Sequence, residues 1–246
     1  MPRPSFIVLI PAYRAARQVA DVIADVIASV PEAAGHVLVI DDGSDDETSR
    51  IAEAAGASVL RHGRNLGKGA ALMTGLTEAR RRGYRAALTV DADGQHPGDA
   101  CAKVLHAPTG ALVLGVRDLA GAGAPKKNRF SNGISNFFLS RFAGIPLADT
   151  QCGLRRYPVE ETLALMPQET GYAFEAEIVL LAAAAGLAIE QVDIRVIYPP
   201  ENERVTHFDA VKDPARIILA VLRTVRRTRA AGPRSVAARR TSAADP

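Results

Sequence analysis

The segment Ala86–His96 reads AALTVDADGQH, a mostly apolar run that is followed at once by two carboxylates. A short run of this kind is typical of a strand that is buried on both faces of a mostly parallel sheet. Asp91 and Asp93 leave the strand together, so both carboxylates can turn toward one point beyond its carboxyl end. Mg²⁺ and Mn²⁺ prefer such oxygen ligands and can bridge phosphate oxygens. The segment therefore predicts a metal-diphosphate site at the end of a buried strand.

Similar apolar runs recur along the chain and alternate with helical patterns. The predicted strands are 6–10, 36–40, 58–60, 86–90, 111–115 and 187–196. Residues 16–29 carry Val and Ile at spacings of three and four, and residues 69–82 form another helical pattern. Ser44 and Glu47 have the spacing of a capping box, which predicts a helix that begins there and runs toward Ala55. This alternation predicts an α/β fold, a single domain whose doubly wound, mostly parallel sheet has helices on both faces.

Length and composition exclude several classes of protein. A chain of 246 residues with 48% hydrophobic and 23% charged residues is typical of one large globular domain. No apolar run reaches the roughly 18 residues of a transmembrane candidate. The apolar start breaks at Pro11 without a signal-peptide cleavage site, so we expect no secretory leader. Cys101 and Cys152 are the only cysteines, which favours a reducing cytoplasm over a disulfide framework or a zinc site.

The basic character of the chain lies at its C-terminal end. Residues 203–246 hold ten Lys and Arg against four Asp and Glu, a balance of +6, whereas the whole chain carries +3. Residues 209–229 predict a basic amphipathic helix, which either lies on an anionic membrane surface or docks on the protein with a solvated basic face. With 5% aromatic residues, no tryptophan and no reader motif, we expect no nucleic acid as a partner. Residues 231–246 hold no large apolar residue other than Val236 and are predicted to be disordered.

A stripe of aromatic and aliphatic residues follows in the second half of the chain. Its members recur at helical spacing and are Phe130, Ile134, Phe137, Phe138 and Phe142. Packing in the core is the usual meaning of such a stripe, and we expect it here in preference to a lipid groove.

Four segments, in this order and spacing, resemble family 2 glycosyltransferases of the GT-A fold. They are FIVLIPAY at 6–13, VIDDGS at 39–44, NLGKGA at 65–70 and DADGQH at 91–96. The stretches 149–153 and 171–177 resemble the dolichyl-phosphate mannose synthase branch, which moves a sugar from a nucleotide diphosphate to a polyprenyl phosphate. The resemblance covers about residues 5–220. It implies a catalytic domain over 1–230, with a nucleotide-sugar-binding half at 1–118 and an acceptor half at 119–208.

The resemblance also implies which residues form the site. The donor-binding residues would be Pro11, Ala12, Tyr13, Ile40, Asp42, Lys68, Asp91 and Ala92. The metal, Mg²⁺ or Mn²⁺, would be held by Asp91, Asp93 and Gln95. Arg117 would face the diphosphate, and Arg129 and Arg204 would bind the acceptor phosphate. Many relatives have an acidic residue shortly after the Pro-x-Tyr motif, where this chain has Ala15.

The implied chemistry is an inverting displacement at an anomeric carbon with loss of a nucleoside diphosphate. Asp93, through the metal, and Arg117 would stabilise the charge that develops on the leaving group. A phosphate nucleophile needs no base, whereas a hydroxyl acceptor would need one, and Asp149 is the candidate unless it caps a turn. A nucleotidyltransferase is a further alternative, but it would need a glycine-rich phosphate loop and basic residues directly after the first strand, where Arg14 and Arg17 are too few. We expect a cytoplasmic enzyme, attached peripherally to the inner face of the membrane beside a lipid-linked or other membrane-near acceptor.

Overall fold

One seven-stranded sheet runs through the molecule. The computed structural model describes residues 5–108, 110–198 and 217–230. The strands are β1 (Phe6–Ala12), β2 (Val37–Asp41), β3 (Ser58–Arg61), β4 (Ala86–Thr89), β5 (Leu112–Arg117), β6 (Arg155–Pro158) and β7 (Ile189–Ile194). Their order is β3-β2-β1-β4-β6-β5-β7, and β6 runs antiparallel to β4 and β5 while the other neighbours are parallel. The predicted mostly parallel sheet is confirmed, and its carboxyl-terminal edge is the edge at which the loops after β1, β2 and β4 meet.

Helices cover both faces of this sheet, as predicted for a doubly wound domain. They are α1 (Val19–Ser29), α2 (Thr48–Ala54), α3 (Lys68–Arg81), α4 (Gly98–Leu105), α5 (Lys126–Ala143), α6 (Val159–Ala164), α7 (Phe174–Ala184) and α8 (217–230). One core cluster packs α1, α2 and α4 against the sheet, and a second packs α3, α5, α7 and α8 against the other face. Within the described ranges, no helix combines the length and the apolar character that a bilayer crossing requires.

The predicted capping box at Ser44 and Glu47 is wrong. Helix α2 begins at Thr48; its N-cap residue Glu47 makes no capping hydrogen bond, and the Thr48 backbone N–H donates instead to Asp46 Oδ1 at 3.1 Å. The Ser44 hydroxyl instead accepts a hydrogen bond from the backbone N–H of Arg14 at 2.9 Å, and the Thr48 hydroxyl accepts one from the backbone N–H of Ala15 at 2.9 Å. These hydroxyls tie the loop after β2 to the loop after β1, because the two parallel strands end side by side.

The expectation that the aromatic stripe packs in the core is also wrong for four of its five members, whereas Phe142 is partly buried against the second core cluster. Phe130, Ile134, Phe137 and Phe138 are 72%, 43%, 67% and 51% exposed. They lie on α5 and line a shallow open cleft together with Arg129. Helix α5 uses its opposite side for the core, where Leu139 is buried. A contiguous exposed apolar face of this kind is typical of an interaction or membrane surface.

Helix α8 is the described part of the predicted basic helix, whose first residues 209–216 lie outside the described residues, as do Arg204 and 231–246. Two of its arginines form ion pairs with the body of the protein. Arg227 Nη2 lies 2.5 Å from Glu177 Oε1, and Arg223 Nη2 lies 2.8 Å from Glu169 Oε1. The helix is therefore docked, yet its apolar residues Ile218, Leu219 and Leu222 are exposed on its outer side.

Candidate active site

The two carboxylates of the DAD segment lie just beyond β4, and a buried lysine lies against the first of them. Lys68, the first residue of α3, places Nζ 2.6 Å from Asp91 Oδ1 and 3.0 Å from Glu175 Oε1 at the start of α7. Gly153 leaves room for this arrangement, because a Cβ at that position would overlap the Asp91 carboxylate. Residues from four separate segments therefore meet at the end of β4.

Burial and charge act in opposite directions on this cluster. Burial alone would lower the pKa of Lys68, but the charges of Asp91 and Glu175 outweigh it and hold that pKa above its usual value. For Asp91, burial would raise the pKa and the charge of Lys68 lowers it, with a net lowering. Lys68 and Asp91 are consequently both charged near neutral pH, and the positive charge of Lys68 lies between the carboxylates of Asp91 and Glu175.

Asp93 is the less compensated of the two carboxylates. Its Oδ1 accepts a hydrogen bond from the backbone N–H of Gln95 at 3.0 Å. Burial, followed by the like charge of Asp91, raises the pKa of Asp93 to about 6. A bound cation would stabilise the ionised form of these two neighbouring carboxylates. The raised pKa of Asp93 therefore agrees with the metal site that the DAD segment predicts.

His96 is buried behind the carboxylates. Its Nε2 lies 4.0 Å from Asp91 Oδ2, and its Nδ1 has no hydrogen-bond partner among the described residues. Burial lowers the pKa of His96 to about 4, so the ring is neutral at physiological pH. It adds no positive charge to the cluster.

A second cation reaches the same edge from β5. Arg117, the last residue of β5, donates from Nε to Asp149 Oδ2 at 2.6 Å and from Nη2 to Asp149 Oδ1 at 3.0 Å. Its backbone N–H also donates to Asp149 Oδ2, at 3.2 Å. The side chains are 12% and 1% exposed, so this is a buried bidentate pair. The positive charge of Arg117 is one of the influences that lower the pKa of Asp91 and oppose the raised pKa of Asp93. The Arg117–Asp149 ion pair therefore belongs to the same site.

Asp42, predicted to line the donor pocket, has its carboxylate taken up by the loop that follows β3. It accepts hydrogen bonds from the backbone N–H groups of Leu66 and Gly67, at 2.9 and 2.8 Å, and lies 2.7 Å from His62 Nδ1. Gly67 has a φ of +99° and faces the Thr170 carbonyl so closely that a side chain would not fit. In this structure Asp42 therefore fixes the turn that delivers Lys68.

The other predicted donor residues occupy the ends of β1, β2 and β4. Pro11 and Tyr13 are half-buried, whereas Ala12 and Ala92 are almost fully buried. For Ile40 the structure differs from the prediction of a donor-pocket residue. Its side chain is 0% exposed in the core, against Gly75 of α3, and does not line an open pocket. Nucleotide binding by this group stays a prediction.

The predicted acceptor residues are not brought to the carboxylates by any contact in the described residues. Arg129 is exposed in the first turn of α5, beside the apolar cleft, and Arg204 lies outside the described residues. The structure also places the Glu175 carboxylate in the site, 3.0 Å from Lys68 Nζ. Sequence reasoning overlooked Arg155, for which the available signal was a pair of adjacent arginines at 155 and 156.

The chain resembles known proteins in sequence and in fold. The model of the family described as Glycosyl transferase family 2 matches residues 7–160, more than half of the chain. Glycosyltransferase AglJ of Haloferax volcanii is 30% identical over 228 residues, 91% of this chain and 73% of the relative. Polyprenol monophosphomannose synthase of Mycolicibacterium smegmatis is 28% identical over 207 residues, 78% of this chain and 77% of the relative.

A solved structure supports the same fold. Glucosyl-3-phosphoglycerate synthase from Mycobacterium tuberculosis, crystallised with Mn²⁺, UDP and phosphoglyceric acid, matches with a TM-score of 0.69. Sequence identity is 19%, and the match covers 89% of this chain and 78% of that one. The predicted GT-A type fold is confirmed.

Proposed function

The chain belongs to glycosyl transferase family 2, and we propose that it moves a hexose from a nucleoside-diphosphate-sugar to a polyprenyl phosphate, with inversion and with the help of a divalent metal. The observation that carries this proposal is the meeting of Asp91 and Asp93 with two partly buried cations, Lys68 and Arg117, at one sheet edge. Cations and a carboxylate pair at the carboxyl ends of parallel strands suit a metal-bound diphosphate. A relative of similar length is named for the synthesis of a polyprenol monophosphomannose, which supports the acceptor.

The residues at the end of β4 fit a hard divalent cation, Mg²⁺ or Mn²⁺. Asp91 and Asp93 would supply carboxylate oxygens and Gln95 an amide oxygen, and burial together with the like charge of Asp91 raises the pKa of Asp93 to about 6. Among the described residues, no three His, Cys, Asp or Glu side chains form a metal site by themselves, so water and the diphosphate would complete the shell. When bound, the cation would neutralise diphosphate oxygens and make the nucleotide a better leaving group.

The reaction breaks the bond between the anomeric carbon and the diphosphate oxygen and forms one to a phosphate oxygen of the acceptor. Attack from the face opposite the leaving group inverts the anomeric configuration. The bond electrons pass to the diphosphate, and the buried guanidinium of Arg117 is placed to stabilise that growing charge. Its desolvated position makes this interaction stronger than it would be in water.

The hydrogen bonds that Asp149 accepts favour a phosphate acceptor over a hydroxyl acceptor. Both of its oxygens accept hydrogen bonds from Arg117, and Oδ1 also accepts one from the backbone N–H of Gln151 at 3.2 Å. Both carboxylate oxygens are thus already engaged by Arg117 and the turn, so a hydroxyl acceptor would have to compete with these hydrogen bonds for Asp149. We therefore assign Asp149 the task of holding Arg117 and leave the reaction without a general base, as an already anionic phosphate nucleophile requires.

The exposed apolar faces of α5 and α8 support a membrane-near acceptor. Phe137 and Phe138 stand out from α5, and Leu219 and Leu222 from α8, and both helices join one core cluster. Aromatic and aliphatic residues beside exposed arginines such as Arg226 suit the interface of an anionic bilayer. We propose a cytoplasmic enzyme that attaches peripherally to the inner leaflet.

Transfer assays test the proposed function. Purified protein with Mn²⁺ is offered GDP-linked and UDP-linked hexoses and a short-chain polyprenyl phosphate, and released nucleotide and lipid-linked sugar are measured. Production of both in equal amounts, with inverted configuration by NMR, is expected. Nucleotide release without lipid-linked sugar would overturn the acceptor, and release of pyrophosphate would instead indicate a nucleotidyltransferase.

A further inference from the structure

Two adjacent arginines of β6 are buried on opposite faces of the sheet. Arg155 is 0% exposed and Arg156 is 4% exposed. Neither forms an ion pair with a carboxylate in the described part of the chain, and each uses its guanidinium to donate to three backbone carbonyls. Burying a charged group is costly unless its donors are satisfied, so these carbonyls account for where each arginine sits.

The carbonyls that Arg155 binds belong to the two segments that carry the acids of the site. Its Nη2 donates to Thr150 at 2.8 Å and its Nε to Cys152 at 2.8 Å, both in the turn that begins with Asp149. Its Nη1 donates to the Glu175 carbonyl at 2.7 Å, in the first turn of α7. A single planar guanidinium therefore fixes the turn beside Arg117 and the helix end beside Lys68.

The same turn is held from the other side by α5. Asn136 Oδ1 accepts from both the backbone N–H and the hydroxyl of Thr150, each at 2.8 Å, and its Nδ2 donates to the Ala148 carbonyl at 2.5 Å. The Ser135 hydroxyl lies 2.8 Å from the Thr150 hydroxyl. The turn thus lies between a core arginine and the polar side of the helix whose outer side is the exposed apolar face.

We propose that Arg155 and Asn136 are positioning residues, which clamp the 149–152 turn so that Asp149 presents Arg117, and Glu175 presents Lys68, to the donor diphosphate. The proposal rests on the proposed function for its catalytic consequence, whereas the clamp itself concerns the free protein. Lysine cannot replace Arg155 in this role, since an ammonium lacks the planar fork that reaches three carbonyls in different directions. A small displacement of the turn moves the guanidinium of Arg117, and misplacing a catalytic group by about 1 Å can reduce a rate about a hundredfold.

Arg156 provides a matched control within the same strand. It binds the carbonyls of Leu105, Ala107 and Pro108 at the end of α4, away from the acids of the site. Arg156→Lys therefore removes a comparable set of buried hydrogen bonds without touching the clamp. A merely structural role for Arg155 would give the two variants the same behaviour.

Hydrogen–deuterium exchange of the free protein tests the clamp without any substrate. In Arg155→Lys, peptides over 148–153 and 171–177 are expected to exchange faster than in the wild type, by about tenfold or more for amides released from a local hydrogen-bonded unit. Arg156→Lys is expected to leave both segments unchanged and to loosen 105–108 instead. Equal exchange at 148–153 in the two variants would overturn the proposal even if no transferase activity is ever found.

Kinetics and a double-mutant cycle then test the catalytic consequence. Arg155→Lys is expected to lower kcat about 10- to 100-fold with little change in the donor KM, and this loss is expected to be smaller in an Arg117→Ala background, where only the contact to the Glu175 carbonyl still matters, because coupled residues are not additive. If the loss is as large without Arg117 as with it, Arg155 does not act through that residue. Asn136→Ala loosens the same turn from the half-buried side and serves as the test if Arg155→Lys does not fold: unchanged exchange at 148–153 together with unchanged kcat would overturn the clamp.

Discussion

The pairing of Asp149 with Arg117 makes a sharp prediction about stability. In Asp149→Asn, one carboxylate oxygen becomes an amide NH₂, which would face a guanidinium N–H instead of accepting from it. Arg117 then keeps its charge at a side-chain exposure of 12% with no carboxylate partner. Removing one partner of a buried ion pair costs about 3–5 kcal/mol, and because Arg117 retains some contact with solvent we expect about 3 kcal/mol. For a chain of this length each kcal/mol corresponds to about 2–4 °C, so the expected fall in Tm is about 6–12 °C.

The assay is thermal unfolding followed by circular dichroism, with Asp99→Asn as the matched control. Asp99 also pairs with an arginine, Arg195, at 3.2 Å, but both side chains are about two-thirds exposed. A surface pair of this kind is worth about 0–1 kcal/mol, so its loss should be small. The double variant Asp149→Asn/Arg117→Met should recover part of the lost stability, since the stranded charge is gone. Equal Tm values for Asp149→Asn and Asp99→Asn, or a double variant as unstable as the sum of both single changes, would refute the reasoning.

The remaining predictions concern the metal, the acceptor and the membrane. Asp93→Ala is expected to abolish metal-dependent nucleotide binding, measured by calorimetry, while leaving Tm without ligand nearly unchanged; wild-type affinity in the variant would contradict the metal assignment. Because the pKa of Asp93 is raised to about 6, Mn²⁺ must displace a proton below that pH, so Mn²⁺ affinity should rise as pH increases from about 5 to 7 and then level off. Arg129→Ala should raise KM for a polyprenyl phosphate with little change in the donor KM, and normal acceptor saturation would remove Arg129 from the acceptor site. Phe137→Ser/Phe138→Ser should reduce sedimentation with anionic vesicles, whereas Met166→Ser, an exposed apolar residue outside both helices, should not.

Much of the fold was predictable because the buried strands carry their own signal. The runs before Pro11, Asp41 and Asp91 are almost entirely apolar, as a parallel strand covered on both faces requires, and the structure places them in β1, β2 and β4. Strand β6 was not predicted, because charged residues such as Arg155 and Arg156 do not form an apolar run. Their side chains are buried only because backbone carbonyls of other segments accept their hydrogen bonds. A buried arginine that binds backbone leaves no periodic pattern in the sequence.

The carboxylates of the site could be predicted from the sequence, whereas the cations that pair with the acidic residues there could not be matched to them. Asp91 and Asp93 follow a strand directly, so their common edge follows from topology alone. The pairing of Lys68 with Asp91 depends on a glycine turn, and that of Arg117 with Asp149 joins positions 32 residues apart. No spacing rule relates such residues, because the sheet and not the chain brings them together.

Helix α5 links the least predictable feature of the molecule to its chemistry. Its outer face is apolar and exposed at Phe137 and Phe138, whereas its neighbouring positions Ser135 and Asn136 bind Thr150, next to Asp149. A helix with one face in a lipid interface and the other on the turn that presents Arg117 would place the acceptor lipid and the diphosphate-binding cation on a common rigid element. The sequence pattern alone favoured burial of that aromatic face, because aromatic residues at helical spacing are hidden in most soluble domains. The aromatic face is exposed instead because Ser135 and Asn136, which precede Phe137, already bind the 149–152 turn. Rotating α5 so that its aromatic face points inward would break these contacts and release Asp149 and, with it, Arg117.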